Sequence, residues 1–278
     1  MAQTRGAVAV VGGVAVAWLA ATSPACDPQE TAEADACDVL FGRPNDRTGL
    51  DASRCRPSCR CGDEEFAPPR YDAAFTEALV ATWELSAPYK EILEDPYLEA
   101  APDAEPPEAV CALVRGDTLA SGKRAYTLAT YDDEAAARAA GAALTHFGRC
   151  GVCSTLENLA VYIREEDLTE PVRACGLSSK TMDEHVTCLR GLGFDRPCAQ
   201  IWYWNTLHTK KKCLGPCVAA LGAPYHDESG ALNECLACDE RESGAVFKAV
   251  AGRTRRNSGL PNAMCRPCSE VRPLVHAY

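Results

Sequence analysis

Cys150-Gly151-Val152-Cys153-Ser154-Thr155-Leu156-Glu157 joins two signals whose combination sets the expected architecture. The first four residues hold two sulfurs three positions apart. The last four have the pattern of a capping box, in which a hydroxyl accepts the N–H three residues on and the glutamate reaches back. A helix is therefore expected to open just after Cys153 and run through Ile163, leaving both cysteines in the loop before it. There are 17 cysteines in 278 residues, although a chain this long can bury a full core without cross-links. Such density points to an oxidising compartment, because cytosolic thiols stay reduced. Each bridge stabilises by about 2–4 kcal/mol, chiefly by restricting the unfolded chain.

Working outward, Asp132-Asp133 can cap an alanine-rich helix reaching Phe147, with acids at the positive end of the helix dipole. Before it, Ala109-Val110-Cys111-Ala112-Leu113-Val114 and residues 124–130 flank Ser121-Gly122, the pattern of a hairpin. Residues 71–83 have helical spacing through Ala74, Phe75, Ala78, Leu79 and Trp83, and 89–98 predict a second short helix. Downstream, Thr181-Met182-Asp183-Glu184 is another capping box, stopped at Gly193. Asp195 with Pro197 opens a long amphipathic stretch toward Lys212, which Gly215-Pro216 must kink or end. Residues 232–251 form a last helical region, with Gly244 as its weak point. The expected fold class is α+β, predominantly α-helical, with disulfide-stapled helices and a small β-hairpin. No internal repeat is present.

Composition excludes several classes. With 47% hydrophobic and 24% charged residues the chain is neither disordered nor a multi-span membrane protein. A net charge of −11 argues against nucleic acid as the main partner. Met1 to Arg5 followed by the apolar run Gly6 to Ala21 reads as a secretory signal, with cleavage expected after Ala25. The alternatives are an uncleaved anchor or lipidation at Cys26. After cleavage no transmembrane span is expected. Residues 26–70 then form an acidic, loop-rich, cysteine-bearing arm, and 71–278 a helical domain with a proline-rich acidic loop at 100–108. Residues 26–110 carry 20 acidic against 7 basic side chains, whereas 111–278 are nearly balanced. Twelve cysteines lie from Cys111 onward, enough to close six bridges among themselves. Five lie earlier, which makes Cys26 the natural orphan.

Candidate chemistry falls into four groups. Cys150 and Cys153, with His146 upstream, have the spacing of a thiol–disulfide exchange pair, in which one thiolate attacks and the other resolves. Against that, the segment before the motif reads as helix, and the capping box leaves Cys150 away from the helix start. Cys235/Cys238 and Cys265/Cys268 have the spacing of a structural zinc site, but an oxidising compartment favours bridges, so no metal or cofactor is expected. With Cys111, Cys175, Cys188, Cys198, Cys213 and Cys217 they are expected to be structural disulfides. Trp202-Tyr203-Trp204 suit core packing better than a stacking platform.

The C-terminal run is the fourth group. Arg253, Arg255 and Arg256 with amides near Ser258 could hold an anion, or pair with carboxylates to organise a turn. Glu240 and Glu242 are acid candidates, and Glu242-Ser243-Gly244 resembles the glutamate–serine helix end of lysozyme-like transglycosylases, which would imply glycoside hydrolysis. No second carboxylate can be assigned to that reaction, and no phosphate loop, nucleophile elbow or His-Glu-x-x-His helix is present.

Thr145-His146-Phe147-Gly148-Arg149-Cys150-Gly151-Val152-Cys153-Ser154, Leu232-Asn233-Glu234-Cys235-Leu236-Ala237-Cys238-Asp239-Glu240 and Ala251-Gly252-Arg253-Thr254-Arg255-Arg256-Asn257-Ser258-Gly259 together resemble an uncharacterised group of secreted cysteine-rich proteins of algae and other microbial eukaryotes. That resemblance implies export and no activity. The expectation is a secreted, non-catalytic binding or structural protein whose ligand, anionic by this chemistry, meets Arg253, Arg255, Arg256 and Ser258. The competing expectation is an oxidoreductase using Cys150 and Cys153.

Overall fold

The computed structural model describes residues 39–61, 64–99 and 108–278. The expected signal segment, Cys26, Cys37 and most of the proline-rich loop lie outside the described residues. Helices with short strands and seven disulfides among those residues make the fold α+β and helix-rich.

The expected hairpin is present as β6 (Val110–Thr118) and β7 (Arg124–Tyr131), paired antiparallel. Gly122 supplies the positive φ (83°) that the turn requires. Two strands flank this hairpin, one beside each of its strands, to complete a four-stranded sheet. One is β5 (Trp83–Leu85), which continues directly from α1 (Ala73–Thr82) and runs parallel to β7. The other corrects the expectation of one helix to Phe147. α2 (Glu134–Ala139) is short, the chain turns at Gly141 with φ 70°, and β8 (Ala143–Phe147) pairs antiparallel with β6. Alanines carried the helical pattern only as far as the glycine. Beyond it, Thr145 and Phe147 suit a pleated surface.

The helical layer holds the main core. α3 (Leu156–Arg164) is capped by Thr155 rather than Ser154, because the Ser154 hydroxyl is engaged elsewhere. α5 (Met182–Gly191) starts at the Thr181 cap. α6 (Arg196–Ala219) starts at Asp195 and breaks from helical geometry at Cys213 (φ −120°, ψ 15°), three residues before Pro216. A proline ring crowds the preceding turn, which accounts for the distortion there. α7 (Glu234–Ala251) runs unbroken through Gly244. Leu156, Leu159, Val186, Leu189, Phe194 and Ile201 are fully or almost fully buried where these helices meet the sheet.

Two local expectations differ from the structure. Residues 89–98 form only a single 3-10 turn at Pro96–Leu98, since the residue before a proline is pushed out of helical geometry. α4 (Thr169–Ser178) carries no side-chain cap and buries only Val172 and Cys175, so its sequence lacks both a start signal and a clear apolar stripe.

The twelve later cysteines do not close among themselves. Cys111–Cys150, Cys153–Cys198, Cys175–Cys188, Cys213–Cys238 and Cys217–Cys235 do pair internally. Cys265 and Cys268 instead reach back to Cys55 and Cys59, across 210 and 209 residues. The backbone follows the sulfurs: β1 (Leu40–Phe41) pairs with both β2 (Cys55–Arg56) and β9 (Arg266–Pro267). The described part of the arm is thus docked on the C-terminal segment. A small apolar cluster of Phe41, Phe66 and Val271 seals the contact.

Candidate functional site

The residues singled out from the sequence are placed as follows. Cys150 is bonded to Cys111 and Cys153 to Cys198, so the two do not share the mutual bridge that exchange chemistry requires. A strand does lead into the motif, contrary to the helical reading, yet both sulfurs are spent on distant partners. His146 is fully buried. Its Nδ1 lies 2.9 Å from the Phe147 carbonyl, which only a ring N–H can satisfy, so Nε2 accepts the Ser154 hydroxyl at 2.7 Å. Burial, reinforced by the neighbouring Arg253 guanidinium, holds its pKa well below the ordinary histidine value. It is a neutral packing element.

The arginine cluster is mostly internal. Arg253 is completely buried and donates to the carbonyls of Thr145 (2.7 Å), Ser154 (3.0 Å) and Cys153 (3.3 Å), and to Ser258 Oγ (3.2 Å). Arg255 donates to the carbonyls of Glu165 and Pro261 and stacks over the Tyr162 ring at 5.6 Å; burial lowers its pKa to about 10. Only Arg256 reaches the surface, where it pairs with Glu270 (2.7 Å) and Glu240 (3.6 Å). The expected anion site therefore does not assemble: two guanidiniums and Ser258 are consumed in tying segments together.

Glu240 is held by Arg266 as well, and Glu242 pairs with Arg241 on the surface. Both carboxylates are thus engaged in ion pairs. Every cysteine of the zinc-like pairs is oxidised, and among the described residues no group of three or more His, Cys, Asp or Glu is arranged to hold a metal. Trp202 packs on Phe247 at 4.7 Å, and Trp204 Nε1 donates to the Ile92 carbonyl.

A different place gathers chemistry. A cleft of about 420 Å3 opens where the end of α1, β5 and β7 face the N-termini of α3 and α6. Trp83, Tyr126 and Leu156 are buried in its floor; Tyr89, Glu84, Lys123 and Glu157 stand toward the mouth. Its polar wall is built from helix caps. Asp195 Oδ1 accepts the Cys198 N–H (2.9 Å), and Oδ2 accepts from Thr155 Oγ1 (3.1 Å) and Asn158 Nδ2 (2.8 Å). Thr155 in turn caps α3, and Tyr126 Oη accepts the Leu156 N–H at 3.0 Å. The Cys153–Cys198 bridge locks the two helix starts together.

The electrostatics are distinctive. Burial raises the Asp195 carboxyl above its ordinary value despite the three hydrogen bonds that pull it down. Partial burial and the nearby Asp195 raise Glu157 as well. Burial lifts the Tyr89 and Tyr126 hydroxyls to about 12, so both stay protonated. No hydrogen bond holds the Glu157 carboxylate among the described residues. The cleft thus combines aromatic surface with two carboxylates whose ionisation is disfavoured.

Asp195 and Glu157 were readable at helix starts, but not as neighbours, and the sequence put the α3 cap at Ser154 where the structure has Thr155. The available signal was a cysteine beside each cap: Cys153 lies two residues before Thr155 and Cys198 three after Asp195.

Residues 182–273 match a family of unknown function (DUF8771). The match spans α5 to the segment beyond β9, including Asp195 and Arg253 but neither Glu157 nor the carbonyls of Thr145, Cys153 and Ser154 that Arg253 binds. No curated protein and no solved structure matches the chain.

Proposed function

We propose that this is an exported, disulfide-locked binding protein whose cleft takes a small organic cation carrying a flat or apolar body. The observation that carries the reading is the pair Glu157 and Asp195, two carboxylates facing a partly desolvated cleft with their pKa values raised together. An incoming ammonium group favours the charged form of both acids, which is the opposite of what burial does. Aromatic faces add a contribution of about 0.5–2 kcal/mol for a cation over a ring. Lys123 at the rim leaves room for one charge and disfavours a second. Export rests on the seven bridges, which persist in oxidising compartments, and on the resemblance to secreted cysteine-rich proteins.

Isothermal titration with benzyltrimethylammonium tests this, with benzoate as the matched anion. Cation binding is expected to strengthen from pH 4 to pH 7, as Glu157 and Asp195 ionise. Glu157→Gln should weaken it about tenfold, equivalent to ~1.4 kcal/mol. Binding of benzoate equal to that of the cation, or no heat with either up to about 10 mM, would overturn the assignment.

A further inference from the structure

On the far side of α6 from α7, a second surface has no place in the cleft. Leu207, Leu214, Val218 and Leu221 are 39%, 55%, 57% and 60% exposed. Leu207 precedes the break at Cys213; beyond it Leu214 and Val218, four residues apart, share one face of the helix, and Leu221 follows two residues past the helix end at Ala219. Lys210, Lys211 and Lys212 follow Leu207 directly before the break, and all three are exposed. A Cβ added at Gly215, beside Leu214, or at Gly222, beside Leu221, would meet nothing within 4 Å. The opposite face is clamped to α7 by Cys213–Cys238 and Cys217–Cys235.

From this arrangement we infer that the C-terminal half of α6 is a docking edge for an anionic phospholipid surface. Exposed leucine and valine preceded by lysines are the pattern of a helix that lies in the plane of a membrane interface. Lysine stems extend along the apolar layer while their ammonium groups stay among the headgroups. The whole chain carries a net charge of −11, which opposes approach to an anionic surface, so the local cluster of three lysines dictates which side faces the lipid. The disulfides hold the helix formed before contact, so docking needs no folding step. Among the described residues no helix is long and apolar enough to cross a membrane, and this surface is one for lying on a bilayer.

Flotation of the intact, oxidised protein with vesicles of phosphatidylcholine, with and without phosphatidylglycerol, tests the assignment. Binding is expected only to the anionic vesicles and should fall as salt rises. Each lysine near such a surface strengthens partitioning roughly fivefold, so Lys210→Gln/Lys211→Gln/Lys212→Gln should reduce it by about a hundredfold. Leu214→Ser/Val218→Ser/Leu221→Ser should abolish it, and thermal melts should show both variants folded because every changed side chain is exposed. No flotation of the wild type, or flotation unchanged in either variant, overturns the proposal. So does a concentration-dependent dimer that the serine variant abolishes, since that outcome assigns the apolar surface to a second copy of the chain.

Discussion

The Thr155 hydroxyl donates to the Asp195 carboxylate across 3.1 Å, so the cap of one helix is hydrogen-bonded to the cap of another. Neither residue is a local device alone. Asp195 holds the first turn of α6, and Thr155 that of α3, and the shared bond sets the angle at which the two helices border the cleft.

Asp195→Ala should therefore destabilise by more than a single lost cap. A cap contributes about 1 kcal/mol. The stranded Thr155 and Asn158 donors add about 1–3 kcal/mol each where they are buried. A loss of ~3 kcal/mol in urea unfolding is expected; a loss below ~1 kcal/mol would mean that the bond between caps carries no weight.

Asp195→Asn should change how stability depends on pH. The folded carboxyl titrates above the ordinary value of 3.8, so its favourable contribution is present below that value and is lost as pH rises through the folded pKa. Asparagine also caps helices well and never ionises. The stability of Asp195→Asn relative to wild type should rise between pH 3 and pH 7, and a flat or falling difference contradicts the burial cause.

Histidines set an opposite slope at higher pH. Burial lowers His185 to about 4 and His276 to about 3, and holds His146 far down as well. Their contribution is present above the unfolded value of 6.5 and is lost as pH falls toward the folded values. Each contributes at most ~1.4 kcal/mol per pH unit within its window. Unfolding midpoints should fall steadily from pH 6.5 to pH 4, and His185→Gln should flatten part of that slope.

Arg253 should tolerate neither truncation nor lysine. Its fork bridges the carbonyls of β8 and of the loop before α3 through three different nitrogens, and lysine's single compact ammonium cannot span acceptors set that far apart. Removing the guanidinium strands its buried carbonyl acceptors, each at a cost of about 1–3 kcal/mol. Arg253→Met and Arg253→Lys are both expected to lower the thermal midpoint strongly, whereas Arg256→Gln should shift it little.

Much of the fold was legible from local chemistry. The hairpin needed only alternation and Gly122; α3, α5 and α6 were each announced by a hydroxyl or carboxylate at the start. β8 was not, because alanines at 135–137 and 142–143 have no preference strong enough to reveal that Gly141 separates a helix from a strand. Tertiary pairing with β6 decides it. The site was less legible still. Arg253 and Arg255 read as surface cations, since nothing in a run of charges tells a solvated guanidinium from one facing backbone carbonyls. Glu157 and Asp195 lie 38 positions apart, and their helices are brought together by the Cys153–Cys198 bridge and by the bonds from Thr155 and Asn158 to Asp195, neither of which local sequence reveals.

The two longest bridges constrain how the molecule is made. Cys55 and Cys59 leave the ribosome some 210 residues ahead of Cys265 and Cys268. During that interval the nascent chain presents two unmatched thiols beside partners that are nearer and wrong. Correct maturation must then wait for the last segment to arrive, or rely on an isomerase to undo early mistakes. Yield from a host lacking such a catalyst should be poor even though the finished protein is stable.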